Sequence, residues 1–227
     1  MQSLRFTITD SATTRPAIVQ FWDHKPPSEV AELMETWRVG QCAGQFGYER
    51  FDDDSADDFI GRYFDRRTLS AFRQCAVPAM KADFFRYCFL FREGGIYADA
   101  DTECIASLSD LYRKLERGLL LIRHKNVAND FIIVKRKKEK LLQYAIERAV
   151  ENIEAKADTN IWQITGPGIM TKLRNSQTRE AMDMFAGFEL WPVPRIGQYV
   201  KFNWKLKYKT TDAHWTNVTS LEKIFRK

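Results

Sequence analysis

The sequence predicts an α/β protein, a sheet flanked by helices, on three observations. Short apolar runs at Ala17 to Trp22, Leu119 to Ile122 and Phe131 to Val134 have the length of buried strands. Longer stretches, Pro78 to Glu93 and Leu141 to Ile153, repeat their apolar residues every three or four positions, the signature of helices. Strands and helices alternate along the chain, the order that builds a sheet with helical layers. None of the 227 residues forms a Pro-, Gly- or Ser-rich linker, so a single domain over 1–227 is expected.

Ala17 to Trp22 follows Pro16 and is stopped by Asp23 and the Pro26-Pro27 pair, a first core strand and a turn. Val30, Leu33, Met34 and Trp37 then predict a helix to Arg38, with Ser28 as its cap. Asp52, Asp53, Asp54, Asp57 and Asp58 suit a solvated loop or a helix start. The helix from Pro78 has proline in its first turn and is ended by Gly94-Gly95 in left-handed geometry. Ile96 to Asp101 reads as a strand that carries Asp99 and Asp101 on one face at its carboxyl end. Between Val200 and Tyr208, apolar residues alternate with Lys and Asn, predicting a half-buried strand with a lysine face.

The composition, 44% hydrophobic and 29% charged, is that of a chain that folds. No apolar run approaches the roughly 18 to 20 residues that span a bilayer, and Met1 to Thr14 lacks a signal-peptide core. A cytoplasmic protein is expected. A net charge of +5 admits nucleic acid, an anionic membrane or a phosphorylated ligand as partner. Cys42, Cys75, Cys88 and Cys104 show no Cys-x-x-Cys pair and are expected to be buried free thiols.

The chemistry centres on Asp99 and Asp101. Two carboxylates on one strand face, about 7 Å apart, share a hard divalent cation such as Mg²⁺ or Mn²⁺, whose remaining sites take water and phosphate oxygens. Upstream, Asp83 and Arg86 share a helix face, which serves an intrahelical ion pair equally well.

The run Lys81-Ala82-Asp83-Phe84-Phe85-Arg86-Tyr87 followed by Gly94-Gly95-Ile96-Tyr97-Ala98-Asp99-Ala100-Asp101 resembles the family 32 glycosyltransferases with a DXD sugar-binding motif. Ile18 to Trp22, Asn129 to Ile132, Thr165-Gly166-Pro167 and Ala213-His214-Trp215 extend the resemblance in the right order. It departs at Val19, where the family often has His, and at Val218, near which it has Trp.

The resemblance implies a GT-A fold, a single doubly wound mixed sheet flanked by helices, with the donor at the carboxyl edge of the strands. Its implied activity is a retaining, metal-dependent hexosyltransferase using a UDP- or GDP-sugar and a saccharide or lipid-linked acceptor, in bacterial surface polysaccharide synthesis. By the same resemblance, Gln20, Phe21 and Trp22 line the nucleoside pocket, with Trp22 stacking on the base. Lys81, Asp83, Arg86, Gly95, Tyr97 and Asp99 bind the rest of the nucleotide sugar. Asp99, Asp101 and His214 hold the metal; Asp101, Asn129 and Asp130 serve the reacting centre.

Two rival readings use the same residues. Paired aspartates and Mg²⁺ also serve sugar-phosphate nucleotidyltransferases and phosphohydrolases, although Asp23 to Pro27 is no Gly-rich phosphate loop. The lysine and aromatic interleaving of Tyr199 to Lys209 suits a non-catalytic module for anionic polymers, or peripheral contact with an anionic membrane. No nucleic-acid partner is expected.

Overall fold

A computed structural model describes residues 15–40, 45–156, 158–203, 205–210 and 221–226. In chain order the elements are β1 (Ala17–Phe21), α1 (Ser28–Arg38), β2 (Gly47–Phe51), α2 (Asp53–Tyr63), α3 (Arg66–Gln74), α4 (Pro78–Glu93), β3 (Gly95–Ala98) and β4 (Thr102–Cys104). Then come α5 (Ser109–Lys114), β5 (Gly118–Arg123), β6 (Asn126–Val134), α6 (Lys140–Ala155), α7 (Ile161–Ile164), α8 (Gly168–Ser176) and α9 (Arg179–Phe185). β7 (Phe188–Pro192), α10 (Val193–Ile196), β8 (Val200–Phe202), a 3₁₀ turn (Lys207–Thr210) and α11 (Leu221–Ile224) complete the described chain.

Six strands form a mixed sheet in the order β2-β1-β3-β6-β5-β7. β1 pairs in parallel with both β2 and β3, and β5 with β7, while β6 runs antiparallel to its two neighbours. Side chains leave the sheet alternately, so it builds two cores. Val19, Tyr97, Leu120 and Ile132 face the layer of α2, α3, α4 and α6, whereas Ile18, Ile96, Leu119 and Ile133 face α1, α5 and the short β4–β8 pair. Helices on both faces make the sheet doubly wound, as expected.

At β1 the chain order turns: β2 lies on one side and β3 on the other. Open sheets of this kind leave a crevice at such a point, outside the carboxyl ends of the strands. Trp22, at the end of β1, and Asp99, at the end of β3, both stand there.

α4 is buried around most of its circumference, including Lys81, Asp83, Arg86 and Arg92. Pro78 occupies its first turn and Gly94, at φ 69°, ends it. Gly95 follows at φ 97°, where an added Cβ would lie 2.4 Å from the carbonyl oxygen of Ala17. Only glycine allows the helix to pass so directly into a strand lying against β1.

β6 is interrupted within its length. Leu120 pairs with Ile132, but Leu121 pairs with Ala128, leaving Asn129, Asp130 and Phe131 without partners on β5. Phe131 and Ala128 both face the α1 side although three residues apart, which an unbroken strand forbids.

Several elements correct the sequence reading. The Ala17 strand, the Val30 helix and the Leu141 helix form as expected, but Pro27 stands at the cap position of α1, whose side-chain cap is missing, and Ser28 is already helical. The acidic stretch opens α2, capped reciprocally by Asp52 and Ser55. The predicted strand over Val200 to Tyr208 ends at Phe202, because β4, its partner, is three residues long. Beyond it, the amides of Lys207 and Tyr208 donate to the Glu29 carboxylate instead of to a strand. Cys75 and Cys88 are buried free thiols as expected, but Cys104 is disulfide-bonded. Cys42 lies outside the described residues. Among the described residues no helix is long and apolar enough to cross a membrane.

Candidate active site

Arg86 organises the crevice. Its Nη2 lies 2.9 Å from Oδ1 of Asp99 and 3.2 Å from Oδ1 of Asp83, Nη1 donates to the carbonyl oxygen of Asn129, and Nε to that of Ala82 at 3.2 Å. The guanidinium also lies over the Tyr97 ring, 4.3 Å from its centroid. Burial alone would weaken its charge, but Asp99, Tyr97 and Asp83 hold it protonated more firmly than usual. The intrahelical Asp83–Arg86 pair therefore exists, as one arm of a larger network.

Asn129 closes that network. Its Nδ2 donates to Asp83 Oδ1 at 2.8 Å and to the Tyr87 hydroxyl oxygen at 2.9 Å. The interruption of β6 supplies these groups: freed from β5, Asn129 turns its amide to α4, and the carbonyl oxygen of Asp130 accepts the Asp99 amide at 2.8 Å.

Asp99 and Asp101 do not lie in a strand. β3 stops at Ala98, and a tight turn follows, closed by the Thr102 amide donating to the Asp99 carbonyl at 3.0 Å. The expected alternation thus gives way to a turn, fixed further by Gln20 Nε2 and Thr102 Oγ1, which donate to the same carbonyl at 3.2 and 2.6 Å. Tyr48 in turn orients Gln20, donating to its Oε1 at 3.0 Å.

The two carboxylates have different surroundings. Asp99 Oδ1 accepts from Arg86 and from the Tyr97 hydroxyl at 3.0 Å. Burial pushes the Asp99 carboxyl up to about 7 against the pull of Arg86, and Asp101 adds to the rise. Asp101 Oδ2 accepts from the Tyr208 hydroxyl at 2.9 Å and meets Lys209 Nζ at 2.5 Å. Hard carboxylate oxygens of this kind fit Mg²⁺ or Mn²⁺. Among the described residues no cluster of three His, Cys, Asp or Glu ligands forms.

The remaining expected site residues divide. Trp22 packs edge-on against Tyr208, centroids 5.1 Å apart, and its Nε1 is buried without a partner. Asp130 is tied by one oxygen to Arg123 at 2.6 Å, while its other oxygen is buried and unpaired. Phe21 turns away into the α4 core, 5.7 Å from Phe85, because it alternates with Gln20 along β1. Lys81 is likewise committed elsewhere, to Asp53, beside a cavity of about 330 Å³ also lined by Asp54, Asp57, Asp58 and Phe72. Gly95 acts through its backbone. His214 lies outside the described residues, as do Trp215 and Val218.

The sequence reading missed Tyr48, Tyr87, Tyr208, Lys209 and Arg123. Tyr87 was open to discovery, four residues from Asp83 on the same helix face. The others come from distant elements and carry no local signal.

Residues 22–117, which include Asp83, Arg86, Asp99 and Asp101, match the family described as the glycosyltransferase sugar-binding region containing the DXD motif. Over 107 residues the chain is 31% identical to an initiation-specific alpha-1,6-mannosyltransferase of Saccharomyces cerevisiae, covering 44% of this chain and 22% of that protein. The corresponding Schizosaccharomyces pombe enzyme is 32% identical over 102 residues, covering 41% and 25%. The chain thus spans about a quarter of the length of these relatives. Among solved structures, the PaToxG glycosyltransferase superposes with a TM-score of 0.52 at 13% identity, covering 93% of this chain and 88% of that one. The GT-A type of α/β fold is thereby borne out.

Proposed function

We propose that this chain is a metal-dependent glycosyltransferase whose donor is a nucleotide-diphosphate sugar. The observation that carries the reading is the network joining Asp83, Arg86, Asn129 and Asp99 at the carboxyl edge of the sheet, of which Asp83, Arg86 and Asp99 lie inside the matched DXD region. A carboxylate that accepts and a guanidinium that donates suit the neighbouring hydroxyls of a ribose or hexose. Trp22, whose ring borders the crevice, suits a stacked base. The names of the two yeast relatives make a mannosyl donor the first to test.

In this reading Asp101 would ligate the cation, with Asp99 and His214 as the other residues that would hold it. The cation supplies Lewis-acid stabilisation of the leaving diphosphate. The acceptor hydroxyl oxygen forms its bond to the anomeric carbon on the face from which the diphosphate departs. The electron pair of the broken carbon–oxygen bond goes to the diphosphate, which also takes the acceptor proton, so configuration is retained. The Arg123 pairing leaves Asp130 better suited to orienting substrate than to attacking it. Asn129 positions Asp83.

A saccharide or lipid-linked acceptor, a role in bacterial surface polysaccharide synthesis, a single domain and a cytoplasmic, membrane-peripheral location belong to the same proposal. The experiment is donor hydrolysis: protein with Mn²⁺ and a panel of UDP- and GDP-sugars, with release of nucleoside diphosphate measured. Metal-dependent release from one donor, lost in Asp101→Ala, is expected; release of pyrophosphate from a nucleoside triphosphate instead would overturn the reading.

A further inference from the structure

After β8 the chain crosses the mouth of the crevice and docks there. Leu206 and Tyr208 pack with Trp22 against Val30, Met34 and Ala100, and Glu29 accepts both the Lys207 and the Tyr208 amides, at 3.2 and 3.1 Å. This seat delivers two groups to a single oxygen. Tyr208 donates to Asp101 Oδ2, and the Lys209 ammonium meets the same oxygen while donating to the carbonyl oxygen of Asn203 at 3.0 Å. Lys209 is only 16% exposed and Asp101 19%, so water screens the pair weakly.

We propose that Lys209 is the resting counter-ion of Asp101, and that a divalent cation binds by displacing it, freeing the ammonium to meet the anionic diphosphate that arrives with the cation. The inference rests on the reading of Asp101 as a cation ligand. An ammonium and a divalent ion on one carboxylate repel, so a cation on Asp101 weakens the hold on Lys209. The displaced side chain stays within reach of the site through its flexible four-carbon stem. There it offers the leaving oxygen a second positive partner. Tyr208, whose hydroxyl lies 2.9 Å from Asp101 Oδ2, is a donor that the cation must also dislodge or share.

The test measures Mn²⁺ binding alone, with no nucleotide present, by calorimetry and by the loss of the free-ion EPR signal. Lys209→Met is expected to bind Mn²⁺ at least tenfold more tightly than the parent protein. In donor hydrolysis at saturating Mn²⁺ it is expected to lose at least tenfold in kcat, with Lys209→Arg recovering part of it. Glu29→Gln, which loosens the seat without touching Asp101, is expected to tighten Mn²⁺ binding severalfold and covers the case in which Lys209→Met does not fold. Unchanged or weaker Mn²⁺ binding in both variants overturns the proposal. Hydrolysis by the parent protein tests the glycosyltransferase reading separately and stands whichever way the binding experiment falls.

Discussion

The Arg86 guanidinium lies 2.9 Å from the Asp99 carboxylate, so a helix and the turn after the following strand are joined through a buried charge. Only 4% of the arginine side chain reaches solvent, and it also serves Asp83 and two carbonyl oxygens. Arg86→Ala should therefore cost about 3 to 5 kcal/mol, since it strands two carboxylates rather than removing one bond. Arg86→Lys should recover only part of this, because an ammonium cannot reproduce the fork. Urea unfolding of the three proteins measures both values.

Asp99 makes the metal-free protein pH-sensitive. Its carboxyl is held at about 7 in the fold against an ordinary 3.8, so the unfolded chain gives up the proton first. The stabilisation present below pH 4 drains away as pH rises to 7. Asp99→Asn carries no such proton, so its melting temperature relative to the parent should climb between pH 4 and pH 7 and level off above. With 30% of the side chain exposed, the change should be about 2 kcal/mol. Saturating Mn²⁺ should abolish the trend, and a difference independent of pH would count against the buried-carboxyl account.

Gly95 gives a purely steric prediction. Alanine there would hold a positive φ and set its Cβ 2.4 Å from the Ala17 carbonyl oxygen, prising β3 from β1. A loss of about 3 kcal/mol or more is expected, read as a fall in thermal midpoint. Gly47→Ala, whose Cβ would meet nothing closer than the Ala17 side chain at 4.0 Å, is the quiet control.

If Trp22 stacks on the base, Trp22→Leu should raise the KM for the donor by roughly five- to a hundredfold, from about 1 to 3 kcal/mol of lost stacking. kcat should change little, because the base lies away from the reacting bond. A fall in kcat at constant KM would place Trp22 outside the nucleoside pocket.

The parts of this architecture that were legible in the sequence are those set by local rules. Pro78 and Gly94 bound α4 because one lacks an amide a helix start does not need and the other takes a positive φ. The sheet strands betray themselves by apolar runs, and Asp83, Arg86 and Asp99 by a motif. The reading failed where a tertiary contact overrides periodicity. The alternation from Val200 to Tyr208 continues past Phe202, but the ladder does not, since among the described residues no strand lies alongside to receive it. Phe21 sits next to Gln20 and Trp22 in the chain, yet a strand sends neighbours to opposite faces. Lys209, on Asp101, emerges from a run of similar lysines that nothing local tells apart.

The break in β6 has a bearing on which changes of length the chain can tolerate. Val127 and Ala128 reach their proper cores only because the three residues before Ile132 absorb a half-turn of the ribbon. Loss of one residue between Asn129 and Phe131 would bring Ala128 and Phe131 to the spacing at which an unbroken strand keeps both on the α1 side, but it would withdraw the carbonyls that grip Arg86 and the Asp99 amide. The segment is thus one residue longer than packing alone requires, and the surplus goes to the contacts with Arg86 and Asp99, so drift in its length falls on the site before it falls on the core, whatever its side chains become.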